Sequence, residues 1–388
     1  MKRNNIITTV VFLVLVGALT VASMVNPVRQ YSETENRTLA QLPKFSFKAL
    51  FSENDDEKYT LKYEEFITDQ FVFRDAWITV KNYAELALGK KDSGGVYFGK
   101  DGYLIEKHEL DKDRLESNIE YLKALIDNAG SQYNVRVLIA PTASLMLSDK
   151  LPAFAPVWNQ EALLDRLAEF EGFVDVRDIL KKHLLDTPAT DPDRLYYRTD
   201  HHWTTLGAYY AYFMLCDSLG FDSTPFEEFT KTVLSDEFYG TLASKVNIKT
   251  KPDVLYTLDT SLPLSVTYNR GTPDERVTDT LYELRHLDTR SKYSVFLNEN
   301  QPMVEINTSN KNGRTLLLIK DSYAHCMVPM LVNNYENILI LDLRGAKGGI
   351  ISNFIPMFEE LGYSIDDIVV LYNAENFTED KNLAWLAR

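Results

Sequence analysis

Leu316-Leu317-Leu318-Ile319-Lys320-Asp321-Ser322-Tyr323 decides the fold. Four consecutive apolar residues run into a polar turn, and a helix-compatible segment, Ala324 to Asn334, follows. A strand apolar on both faces, ending in a turn and a helix, is the unit of a parallel sheet covered on both sides. The turn then lies at the carboxyl edge of that sheet, where open α/β proteins bind and react. Ser322 there is a candidate nucleophile if a base reaches it.

A candidate base lies about 120 residues upstream, in Tyr197-Arg198-Thr199-Asp200-His201-His202-Trp203-Thr204. Asp200 and His202 supply the carboxylate and imidazole that a serine needs to become nucleophilic. Such pairs are also common as structural contacts, so the spacing leaves both readings open. A metal site is the rival, with Asp200, His201, His202 and His325 as possible ligands. Adjacent His201 and His202 are expected to point in different directions, which argues against one ion taking both. His108, His183 and His286 read as structural or surface residues. The tyrosines Tyr196, Tyr197, Tyr209 and Tyr210 read as core and rim.

Working outward, helices and strands alternate. Asp111 or Asp113 caps a helix with Leu115, Ile119, Leu122 and Ile126 at helical spacing, stopped by Gly130. Val135 to Ala140 reads as a strand ended by Pro141, Gln160 to Glu171 as a helix, and Phe173 to Val176 as a short strand. Arg177 to Leu185 and Thr204 to Leu219 read as helices. Residues from about 222 to 312 lose this rhythm and read as an irregular insertion of loops and short strands. Strands at 315–319, 338–343 and 368–372 follow, separated by helices at 324–334 and 349–361, with 377–388 as a terminal helix or tail. Before all this, 95–104 looks like a hairpin across an Asp-Gly turn.

The 388-residue chain carries a net charge of −15, which disfavours a nucleic-acid partner. Its 45% hydrophobic and 12% aromatic content is that of a folded protein able to bury a large core. Cys216 and Cys326 are too few for a disulfide framework and read as buried thiols, with a single bridge left open. Lys2 and Arg3 precede an uncharged stretch with its apolar centre at residues 6–24, long enough to cross a bilayer and oriented with its amino terminus inside. A cleaved signal peptide is the alternative, although its apolar region is usually shorter, about 7–15 residues. Either way the remainder is expected outside: a single-pass cell-membrane protein with an exported C-terminal domain, or a secreted one.

Asp200-His201-His202-Trp203 spells the signature of the DHHW protein family, and the chain resembles it. Asp200-x-His202-Trp203-Thr204 also resembles the alginate O-acetylation proteins AlgJ and AlgX, which are SGNH hydrolase-like. Further similarity lies in Glu35-Asn36-Arg37, Gly99 to Leu104, Lys292-Tyr293 and Lys320 to Tyr323. The resemblance implies a three-layer α/β/α SGNH-like domain at 95–388, with the insertion at about 222–312. Ahead of it lie a stalk and helical lead-in at 26–94 and the anchor or signal at 1–25.

It implies a triad of Ser322, His202 and Asp200, with Asp321, Tyr323, Gly240 and Trp203 as supporting or oxyanion residues, and no cofactor. The motif order is rearranged: the serine comes last, Lys320 replaces the usual glycine, and His201 stands where the alginate proteins have threonine. The implied activity is O-acetyl transfer to a cell-surface or secreted polysaccharide through an acyl-serine. An exported transferase implies a multipass membrane acyltransferase as acetyl donor. The alternatives are a carbohydrate O-acetylesterase and a non-catalytic module that binds glycan or a partner.

Overall fold

The computed structural model describes residues 2–32, 37–186, 194–346 and 348–388. Glu35-Asn36 of the resemblance lies outside them. The described residues form two compact units, residues 1–94 with 244–248, and 95–243 with 249–388.

The first unit begins with α1 (Lys2–Val25), whose 21-residue stretch Asn5–Val25 is long and apolar enough to cross a membrane. It continues through α2 (Tyr59–Asp69) and α3 (Arg74–Ala87).

The second unit is built on seven strands: β1 (Asn134–Ala140), β2 (Leu264–Tyr268), β3 (Arg276–Thr278), β4 (Met303–Thr308), β5 (Thr315–Lys320), β6 (Asn337–Leu341) and β7 (Asp367–Asn373). Their order is β3-β2-β4-β6-β5-β7-β1. The β6-β5-β7-β1 half is parallel, and the β4, β2 and β3 half is antiparallel. Leu316 and Leu318 enter one core cluster with the helix α6 introduced below, whereas Leu317 and Ile319 enter another. That alternation is what a strand buried on both faces requires, and it makes the unit three-layered.

Helices cover both faces. α4 (Lys112–Ala129), α5 (Gln160–Leu167), α7 (Ile355–Glu360) and α8 (Ala374–Glu379) contribute to the cluster of Leu317, and α6 (Thr205–Leu219) to that of Leu316. α4 starts on the Asp111 carboxylate, which accepts from Arg114 N–H, and stops at Gly130 in a positive-φ conformation. Cys216 and Cys326 are buried free thiols, pushed up to about 12 by burial.

The expected helix at 324–334 is instead a 3-10 turn, Ser322–Cys326, and a single helical turn, Val328–Leu331. Pro329 has no N–H to give to the carbonyl of His325, so a continuous helix is broken there. Phe173–Val176 makes only a lone parallel bridge from Phe173 to Val137. The irregular stretch at 222–312 adds strands of its own. It supplies β2, β3 and β4 to the sheet and a separate antiparallel pair, Thr230–Phe238 with Asp253–Asp259.

Candidate active site

β5 carries Ser322 to the sheet edge. It pairs with β7 as far as Lys320 opposite Leu371, and Asp321 N–H then donates to Leu371 O at 3.0 Å. The Asp321 carboxylate holds the turn that follows. Oδ1 accepts from Tyr323 N–H (2.8 Å), while Oδ2 accepts from Asn373 N–H (2.9 Å), Asn373 Nδ2 (2.7 Å) and Asn376 Nδ2 (2.9 Å). Asp321 acts as an acceptor in all these side-chain contacts, so it supports the serine turn and is no oxyanion donor.

The opposing loop closes on itself through an antiparallel bridge between Tyr196 and Trp203 and a bond from Tyr197 N–H to His202 O. It feeds α6, whose N-cap is Thr204. Buried Asp253 accepts from the N–H groups of Arg198 (2.9 Å) and Thr199 (2.8 Å) and from Thr199 Oγ1 (2.7 Å). Burial raises the carboxyl of Asp253.

Between the two loops, Ser322 Oγ lies 2.8 Å from His202 Nε2, and His202 Nδ1 lies 2.5 Å from Asp200 Oδ1. Asp200 Oδ1 also accepts from His202 N–H (3.0 Å), and Oδ2 from Thr241 N–H (2.7 Å). All three residues are buried. Burial opposes ionisation of Asp200, but His202, His201 and the donors on its carboxylate outweigh it and hold the acid well below its usual range. Burial, reinforced by His201, lowers the imidazole of His202 despite Asp200. A neutral His202 facing an ionised carboxylate carries its proton on Nδ1, which leaves the Nε2 lone pair for the serine O–H.

The remaining sequence candidates have other work. Trp203 is fully buried, and its Nε1–H donates to Tyr323 O at 2.8 Å, joining the two loops. Tyr323 donates its hydroxyl to His201 O (2.5 Å) and its amide to Asp321. Gly240 is not the expected oxyanion donor, because its N–H already donates to Thr199 Oγ1 at 3.0 Å. Its role is close approach: a Cβ there would lie 2.2 Å from both Cβ and Oδ2 of Asp200.

His201 and His202 do not point apart as expected; their ring centroids are 4.0 Å apart, because the loop bends here instead of running extended. Asp200, His201 and His202 therefore offer ligand atoms within 4.8 Å of one another, but both His202 nitrogens already face Asp200 and Ser322.

For several neighbours no role was readable in the sequence. Tyr293, in the Lys292-Tyr293 piece, stacks on His202 at 3.9 Å and 15° and donates its hydroxyl to Ser322 O at 3.2 Å. Lys320, where the glycine was expected, is buried with its Nζ 2.9 Å from Asp342 Oδ2 and 2.7 Å from His325 Nε2. Glu375 accepts from the hydroxyls of Thr142 (2.9 Å) and Ser144 (3.2 Å), and burial raises its carboxyl to about 7.

The DHHW protein family model matches residues 178–341, the segment that holds both loops. Comparison with curated proteins gives no match. Among solved structures, a DHHW family protein from Eubacterium siraeum superposes with a TM-score of 0.61 at 22% identity, covering 76% of this chain and 95% of that one. Bacillus cereus PatB1 with a sulfonyl adduct gives 0.60 at 18% identity, covering 74% and 99%. The O-acetyltransferase domain of Pseudomonas putida AlgJ gives 0.45 at 15% identity, covering 76% and 97%. The chain is thus similar to the DHHW proteins in the segment that carries both loops and in the fold that presents them.

Proposed function

We propose that this chain is an exported serine acyl-ester enzyme, an O-acetyltransferase acting on a cell-surface or secreted polysaccharide. The observation that carries the reading is the unbroken run of contacts from Ser322 Oγ through His202 to Asp200. Ser322 Oγ attacks the acetyl carbonyl while His202 Nε2 takes its proton. The tetrahedral adduct collapses, the bond to the donor's leaving atom breaks, and His202 returns the proton to that atom. His202 then removes a proton from a sugar hydroxyl, which attacks the acetyl-serine, and Ser322 leaves with the proton restored. Asp200 keeps the imidazole in one tautomer and stabilises its charged form throughout. The Ser322 N–H is the oxyanion donor in this scheme, a contact worth about 3–4 kcal/mol in other enzymes.

The same triad passes the acetyl group to water if no sugar is seated, which is the esterase reading. Retention by α1 favours transfer, because a membrane donor, here a multipass acyltransferase, must reach Ser322 from across the bilayer. A serine-directed phosphonate should label Ser322, and Ser322→Ala should abolish both labelling and acetyl release from aryl esters. Acetate and acetylated glycan measured together separate the outcomes. Deacetylation of glycans with no transfer makes the protein an esterase. Absence of labelling in the folded wild type leaves only a binding module.

A further inference from the structure

The first unit contains two helices that are inside out. The sole buried residue of α2 is Asp69 and that of α3 is Asn82, among the described residues. Both are satisfied: Asp69 Oδ2 accepts from Ala40 N–H at 2.8 Å, and Asn82 donates to Val246 O and accepts from Ser93 Oγ. Large apolar side chains are instead exposed: Trp77 and Val80, three residues apart on the face of α3 opposite Asn82, are 49% and 60% exposed, and Phe73 at the helix N-cap is 69% exposed. Phe73 even holds a left-handed backbone (φ 58°), strain that an aromatic ring left in water does not offset. Ile67, Phe71 and Trp77 line an open groove of about 340 Å³ at the corner between the two helices.

That corner is fastened to the end of α1. Val72 N–H donates to Ser23 Oγ at 3.3 Å, inside the last turn of the helix. Four residues beyond that helix, Arg29 exchanges backbone bonds with the Gln70 amide (2.9 and 2.8 Å) and pairs with Asp75 at 3.0 Å. Four residues reach at most about 14 Å, so with α1 across a bilayer the α2–α3 corner lies at headgroup depth. Aromatic side chains concentrate at that depth.

We infer that Phe73 at the N-cap of α3 and the Trp77-Val80 face of that helix seat in the outer lipid interface of the membrane that α1 crosses, so that this unit lies on the bilayer instead of standing off as a stalk. The inference rests on the anchor reading of α1 and adds the lipid contact.

The test uses the full chain in vesicles of phosphatidylethanolamine and phosphatidylglycerol, with part of the lipid brominated close to the headgroup. Bromine should quench Trp77, and Trp77→Phe should lose most of the quenchable fluorescence, leaving that of Trp158, Trp203 and Trp385. Alkaline carbonate is applied to the same vesicles. Retention with Trp77-dependent quenching supports the inference. Retention with equal quenching in both proteins overturns it while the anchor stands, and assigns these apolar side chains to a protein partner. Release by carbonate overturns the anchor reading and the inference with it.

Discussion

Two buried imidazoles lie against the ring of Tyr293, and they differ in what holds their nitrogens. His202 stacks on it at 3.9 Å and His325 at 6.2 Å, both nearly parallel. His202 has a carboxylate behind it and a hydroxyl in front. His325 has the Lys320 ammonium 2.7 Å from Nε2, and Lys320 is anchored in turn by Asp342. Burial lowers both imidazoles, but Asp200 restores part of the proton affinity of His202, whereas Lys320 lowers His325 further, well below 6.5. Burial alone therefore does not make a base. The carboxylate lets His202 accept a proton and return it; a histidine fixed to an ammonium serves only as a hydrogen-bond acceptor.

Asp200→Asn should break this contrast most severely, because it removes the charge that favours the imidazolium. The loss in turnover of an aryl acetate is expected at about 10⁴-fold, as for the same replacement in a serine protease. A loss within tenfold of the wild type means that Asp200 does not orient the base.

Gly240→Ala acts on the same carboxylate from behind. The added Cβ would meet Asp200 at 2.2 Å, so either the loop or the carboxylate must shift. A displacement near 1 Å costs on the order of 10²-fold in rate, and the overpacking about 1–3 kcal/mol in stability. Kinetics and denaturant unfolding on the same preparation check both figures. Unchanged turnover would show that the space behind Asp200 is dispensable.

The parallel half of the sheet and both loops of the site were legible because local pattern and tertiary structure agree there. β5 and β7 are continuous buried runs, and Asp200 and His202 share one short loop. The supporting residues were only partly legible, for the opposite reason. Resemblance picked out Gly240 and the Lys292-Tyr293 piece but neither Asp253 nor Thr241, and all of them lie in 222–312, whose sequence shows no helical period. Their meaning lies in contacts between segments distant in sequence, such as Asp253 with Thr199 and Thr241 with Asp200. The helix expected after Ser322 failed because apolar content alone suggested it, while Pro329 set the actual boundary. Nothing local distinguished Lys320 from an exposed lysine; Asp342, which buries with it, sits just past the end of β6.

The smallest effect is the one that separates the two histidines by pH. Their folded pKa values lie below 6.5, so as pH falls through that value the unfolded chain binds protons that the native one excludes. Native stability is therefore complete above about pH 6.5 and declines below it, by up to about 1.4 kcal/mol per pH unit for each such imidazole. His325→Asn keeps an acceptor for Lys320 but removes one titrating group, so the slope of stability against pH between 6.5 and 4.5 should flatten relative to the wild type. Carboxylates add to both slopes, and the difference between the two proteins isolates the histidine. Activity should respond otherwise. Its ascending limb reports the neutral form of His202, lies below pH 6.5, and should stay in place in the variant, because His325 is uncharged where His202 titrates. Urea midpoints and aryl-acetate rates across that range test both parts. An unchanged stability slope would show that His325 is not held neutral in the folded state. A limb displaced by more than a pH unit would tie His325 to the base and erase the division of labour between the two rings.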